Sequence, residues 1–206
     1  MKKSCPHFFD VDNIEKIVVA ALYAFLLLRM FLLSTNYSMI NFLYAFDQLW
    51  VLIFVLIRRS AVVITKKPLD WFVAFAATSL PLFVSPVSGT PVVPVAFAIV
   101  CMLLGTTLHL IAKLNIRRSF GIVAANRGIK INGPYRLIRH PMYAGYMLAH
   151  VGLLLGGPNL LNFVSIAICW VLLFMRIAAE ERVLGQDSEY IKLMSHTRYR
   201  LIPGVF

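Results

Sequence analysis

Acidic residues are scarce in this 206-residue chain: nine Asp and Glu stand against twenty Lys and Arg, giving a formal net charge of +11. Charge of either sign is sparse, at 14% of residues, while 60% are hydrophobic. A soluble protein of this size has no core that could hide so much apolar surface. The excess of positive charge comes without a nucleic-acid recognition motif, so basic loops on one side of a membrane account for it better than a nucleic-acid partner. Only three cysteines occur, Cys5, Cys101 and Cys169, and their spacing fits neither a metal site nor a redox pair. Cys101 and Cys169 lie in apolar runs and read as small packing residues. No cleavable signal peptide is evident, because the first apolar run is long and lacks a small-residue cleavage site. Neither an internal repeat nor a low-complexity linker divides the chain.

What is present is a series of long apolar runs. They predict an all-α, polytopic integral membrane protein with about six transmembrane helices. The spans are read at 17–33, 40–57, 69–84, 95–112, 142–155 and 160–179, the last two forming a C-terminal helical hairpin around the uncharged turn Gly156 to Asn159. The whole chain, 1–206, reads as a single membrane domain, with N-terminal helices over 1–112 and a distinct polar-edged region over 113–206. The loops near 34–39, 85–94 and 156–159 contain no Lys or Arg, whereas those near 58–67 and 113–140 and both termini hold nearly all of them. The positive-inside rule then puts both termini and the 113–140 connection in the cytoplasm; in a bacterium the membrane is the inner one. Asp47 and Arg29 interrupt apolar runs. An intramembrane acid is a functional candidate by default, but a place near the outer interface, close to Arg29, is the favoured reading of Asp47.

One stretch stands apart. Gly133 to Gly145 packs two Arg, one His, two Tyr and two Pro into thirteen residues between apolar segments. Pro134 and Pro141 push Gly133 and His140 out of the helical region, and Pro141 suits the first position of the helix that follows. The result is a bent, polar lead-in to a membrane helix, suited either to chemistry or to a basic anchor that fixes topology by snorkelling. The pattern Gly133-Pro134-Tyr135, Arg139-His140-Pro141, Tyr143 and Gly145 resembles the signature of the isoprenylcysteine carboxyl methyltransferase family and its bacterial relatives. A second block, Arg176, Glu180, Glu181, Leu184, Tyr190, Arg200 and Pro203, supports the resemblance. It implies an integral membrane methyltransferase that uses S-adenosylmethionine at a cytoplasmic pocket. The acceptor would be lipid-like or prenylated, with a carboxylate, amine or thiol as the reacting group, and neither metal nor nucleic acid would take part. The chain departs from the family where Gly185 to Tyr190 lacks the usual Phe-Gly and where Leu193 replaces the second tyrosine of the usual pair. Those departures bear on the acceptor.

The residues can be given provisional roles. There is no glycine-rich strand-to-helix loop of the dinucleotide-binding kind, so a membrane-edge pocket must hold the cofactor. Tyr135, Tyr143, Pro141 and Met142 suit the adenine, and Glu180 suits the ribose diol or the amine. Backbone N–H groups of Arg127, Gly128, Ile129 and Lys130, with basic side chains, suit the carboxylate. The resemblance adds Arg139 and His140 to the cofactor pocket, gives Glu180 a cofactor role and makes Arg176 the catalytic, substrate-contacting residue. Arg176 lies a turn inside an apolar run, where an arginine costs about 2 kcal/mol or more without a counter-charge. A salt bridge with Glu180, four residues on, is the purely structural account. Glu181 and Arg182 are expected to face solvent or the tail, and His109 and His150 to be satisfied polar groups. Two other readings compete: an NADPH-dependent membrane reductase of sterol-reductase type, and a small transporter or channel subunit.

Overall fold

The computed structural model describes residues 6–33, 39–84 and 90–205. Parts of the uncharged loops near 34–39 and 85–94, and the side chain of Arg29, lie outside the described residues. Helices dominate: α1 (Pro6–Leu33), α2 (Met39–Ile57), α3 (Pro68–Ser79), α4 (Val95–Ile116), α5 (Pro141–Gly156), α6 (Leu160–Leu184) and α7 (Ser188–His196). Among the described residues, three stretches are long and apolar enough to cross a membrane: Met39–Ile57, Val95–Ser119 and Leu160–Leu184. Their outer faces carry exposed apolar side chains such as Phe97, Leu104, Leu161, Ile168 and Val171, as a lipid-facing surface requires.

The helix boundaries follow local chemistry. Asn159 caps α6, its Oδ1 accepting the Leu161 N–H at 2.8 Å, and Asp187 caps α7 by accepting the Glu189 N–H at 2.9 Å. The α3 helix tightens into a 3-10 turn over Leu80–Phe83, where Pro81 supplies no N–H to the ladder. Two helices run past the expected span ends. The α4 helix continues to Ile116 and α6 to Leu184, which keeps Arg176, Glu180 and Glu181 on one rigid element.

Packing is closest between α4 and α5. A Cβ on Gly145 would lie 2.6 Å from the His109 nitrogen and 2.7 Å from the Gly105 oxygen, and one on Gly105 would lie 2.4 Å from the Ala149 nitrogen. The two backbones touch there because neither glycine has a side chain, the small-residue packing typical of membrane helices. The polar connections also have order. Val63–Ile64 (β1) pairs antiparallel with Ala125–Asn126 (β2), and flanking bonds run from Arg59 N–H to Arg118 O at 2.9 Å and from Thr65 N–H to Ala124 O at 3.0 Å. This small ladder qualifies the all-α expectation and holds the 113–140 connection against the loop between α2 and α3.

Candidate functional site

The signature stretch folds as its prolines dictate. Gly133–Arg136 makes a 3-10 turn with Pro134 near its start. Gly133 has φ +62°, and a Cβ there would meet the Asn115 side chain at 2.6 Å, so glycine is needed on both counts. His140 stays outside the helix at φ −126°, ψ 57°, and Pro141 opens α5. The backbone N–H groups of Arg139 and His140 donate to the carbonyls of Tyr199 and Arg200, each at 2.9 Å. The segment after α7 is thereby strapped onto the turn.

Behind the turn lies a recess of about 760 Å³, counted to its open mouth. Arg127, Gly128, Ile129 and Lys130 line one side, Tyr135, Arg139 and His140 another, and Met142, Tyr143 and Glu180 the floor toward the helices. Every residue expected at the cofactor lines this recess except Pro141, which is buried as the first residue of α5. The Gly128 N–H is already taken up by Asn126 Oδ1 at 2.8 Å. The backbone N–H groups of Ile129 and Lys130 have no internal partner among the described residues. Arg127 is buried, and its Nε donates to the Arg59 carbonyl at 3.1 Å, so its side chain braces the loop.

Two glutamates on α6 divide their contacts. Glu181 draws in three basic groups: Arg200 Nε and Nη2, both to Oε2, at 2.9 and 2.7 Å, and Arg139 Nη1 at 3.1 Å and His140 Nε2 at 3.3 Å, both to Oε1. It faces the tail, as expected, but as the centre of a charge cluster that fixes the turn. Arg182 pairs with Asp70 on α3. Glu180 accepts a hydrogen bond from the Tyr143 hydroxyl and lies 3.4 Å from Arg176 Nε.

Arg176 does not line the first recess. It is buried against Tyr143, its guanidinium carbon 5.4 Å from the ring centre, and it borders a second cavity of about 430 Å³, counted out to open solvent. Its Nη2 donates to the Gly121 carbonyl at 2.8 Å and its Nη1 to Thr78 Oγ1 at 3.3 Å. This cavity lies among the helices, walled by Tyr23, Gln48, Phe120, Tyr146, His150 and Leu173. Tyr143 and Glu180 line the first recess, Arg176 borders the second space, and the three side chains contact one another, Glu180 Oε1 meeting both the Tyr143 hydroxyl and Arg176 Nε.

Asp47 is placed differently from the sequence reading. It is 5% exposed and contacts His109 Nε2, and Thr106 Oγ1 donates to it at 3.2 Å, so it is an interior α2–α4 tie; the expected proximity to the Arg29 side chain lies outside the described residues. Lys113, read as the start of a polar loop, is fully buried on α4, with Nζ 4.9 Å from the Tyr146 ring centre. Cation–π attraction is its local compensation.

Sequence reasoning missed the share that the tail and the 116–125 segment take in the first recess. Ile116, Ser119, Gly121 and Val123 line it, as do Tyr190 and Leu193 from α7. The Tyr190 hydroxyl is buried with no hydrogen-bond partner among the described residues, and burial pushes its pKa above the usual tyrosine range. An orphaned donor aimed at a recess is a binding feature; its position in the second sequence block was the available signal.

No curated protein matches this chain. Residues 93–187, which carry α4, the signature turn, α5 and α6, match the family model described as phospholipid methyltransferase. That family includes the integral membrane methyltransferases similar to isoprenylcysteine carboxyl methyltransferase, and over this stretch, a little under half of the chain, the protein is similar to membrane methyltransferases of that family.

Proposed function

We propose that the protein transfers a methyl group from S-adenosylmethionine to the carboxylate of a membrane-embedded, lipid-like acceptor. The observation that carries this reading is the pair of spaces bordered by the contacting side chains Tyr143, Glu180 and Arg176: a polar-edged recess at the helix ends and a cavity among the helices. The residues of the recess fit the cofactor. Glu180 suits its cationic or diol groups, Tyr190 offers an unpartnered hydroxyl, and the Ile129 and Lys130 N–H groups suit its carboxylate. Met142, Val123 and Leu193 supply apolar surface for the adenine. When bound, S-adenosylmethionine supplies an electrophilic methyl on a sulfonium centre.

The chain's own work is positioning. Arg176 keeps N–H groups beyond those held by Gly121 and Thr78, and a carboxylate in the second cavity would be its counter-charge. Tyr143 donates to Glu180 and so helps to fix that carboxylate at the edge of the recess, where it also lies 3.4 Å from Arg176 Nε. Methylation of a carboxylate yields an ester and releases no proton, so the site needs no general base. Charge asymmetry of the loops supports six crossings, with the recess and both termini on the cytoplasmic side and 113–206 as the catalytic region. The reductase and transporter readings gain no support from the family match.

Titration of the purified protein in nanodiscs with S-adenosylhomocysteine and with NADPH tests the reading. Saturable binding of the first and none of the second is expected. Selective NADPH binding would overturn it.

A further inference from the structure

His150 lies on α5 seven residues beyond Tyr143, so it sits about 10 Å deeper along the helix axis. It is 4% exposed and borders the second cavity. Trp170 on α6 donates its indole N–H to His150 Nδ1 at 3.2 Å. An indole nitrogen can only donate, so Nδ1 must be the accepting nitrogen and the ring proton is on Nε2. Nε2 has no partner among the described residues. The result is a neutral donor whose tautomer is set by its neighbour and whose N–H makes no described hydrogen bond beside the cavity.

Several other polar hydrogens around the cavity are engaged, although the Tyr146 hydroxyl, which also borders it, makes no hydrogen bond among the described residues. Tyr23 donates to the Thr78 carbonyl at 3.1 Å, Cys169 to the Ala77 carbonyl at 3.5 Å, and Gln48 Nε2 to Asp47 Oδ2 at 3.5 Å. Asp47 is turned to His109 and Thr106. Val51, Ala77, Phe120, Ile122 and Leu173 make the rest of the wall apolar. A buried donor in such surroundings is costly until an acceptor reaches it. Among the described residues, the one formal charge bordering the cavity is Arg176, which favours an anion beside it and repels an ammonium.

We infer that His150 is a specificity-determining residue of the acceptor site: its Nε2–H donates to a carbonyl or ether oxygen that the acceptor carries about 10 Å from its reacting carboxylate. Trp170 is a positioning residue that acts through His150. The assignment rests on the acceptor reading of this cavity. It narrows the substrate class to lipids whose tail holds one polar oxygen below the head group, as in an ester, amide or keto chain, and disfavours a plain hydrocarbon chain.

The test is displacement of a fluorescent fatty carboxylate from the protein in nanodiscs, without cofactor. Hexadecanoate is compared with an analogue bearing a keto oxygen about 10 Å from the carboxylate. Wild type is expected to bind the keto analogue about tenfold more tightly. His150→Phe should equalise the two, and His150→Gln, which keeps an N–H donor, should retain part of the preference. Trp170→Phe should narrow the preference, and Arg176→Ala should weaken both ligands alike. Equal affinities in wild type, or a preference that survives His150→Phe, would overturn the role of His150 while leaving the acceptor reading in place. Failure of wild type to bind either carboxylate would remove both. If His150→Phe does not fold, the wild-type preference and its response to Trp170→Phe decide the matter.

Discussion

The Tyr143 hydroxyl donates to the Glu180 carboxylate across the α5–α6 hairpin, and both residues line the outer recess. Arg176 lies against the same ring. The three side chains form one contact group, yet only Tyr143 and Glu180 reach the outer recess.

A division of labour on α6 follows. Arg176→Ala should abolish methyl transfer while leaving S-adenosylhomocysteine affinity within about threefold, whereas Glu180→Ala should weaken that affinity by about tenfold or more. Arg176→Lys should rescue poorly, because an ammonium lacks the planar fork that pairs with a carboxylate. Isothermal titration of the single variants and the double variant checks this. Equal loss of affinity in both single variants would mean that the 3.4 Å contact between them is a structural pair.

Tyr190 gives a prediction with two opposite signs. Its buried hydroxyl has no partner among the described residues, so Tyr190→Phe should stabilise the cofactor-free protein, by about 1 kcal/mol. The same variant should bind S-adenosylhomocysteine several-fold more weakly. Thermal unfolding with and without ligand measures both effects. A destabilised free protein with unchanged affinity would make Tyr190 a structural residue.

Asp47→Ala should destabilise the protein by about 3 kcal/mol, since it strips His109 of its interior partner. An interfacial Asp47 would cost only a few tenths of a kcal/mol on removal. Denaturant titration of Asp47→Ala, His109→Ala and the double variant checks it, and the double variant should cost less than the sum.

Orientation can be read chemically. A cysteine at Asn159 should react with an impermeant maleimide added outside intact cells, and one at Lys130 should react only after the membrane is opened. Both positions lie in turns, and the expectation comes from the charge asymmetry of the loops. Labelling of the Lys130 position from outside would move the recess to the other face of the membrane.

The turn at 133–141 was legible because proline and glycine constrain φ locally, so Pro134, Pro141 and Gly133 announce their geometry without help from the rest of the chain. The Arg176–Glu180 face was legible because helical spacing alone puts residues four apart side by side. The Asp47–His109 tie was not. It joins positions 62 apart in sequence, and which face of α2 turns toward α4 depends on the packing of two nearly uniformly apolar helices. The β1–β2 ladder was also hidden, because two residues per strand give no alternation to read. The contribution of Leu193 was visible only as a departure from a family pattern, although it lines the recess.

The strap from Tyr199 and Arg200 to the signature turn has a consequence in time. Chains are made from the N-terminus, so α7 and the strap are synthesised after α6. Until they arrive, Arg139 and His140 lack their backbone acceptors, Glu181 lacks Arg200, and the recess lacks the wall made by Tyr190 and Leu193. The recess is thus closed by the last-made part of the chain, and its shape depends on a segment that lies after the final long apolar helix.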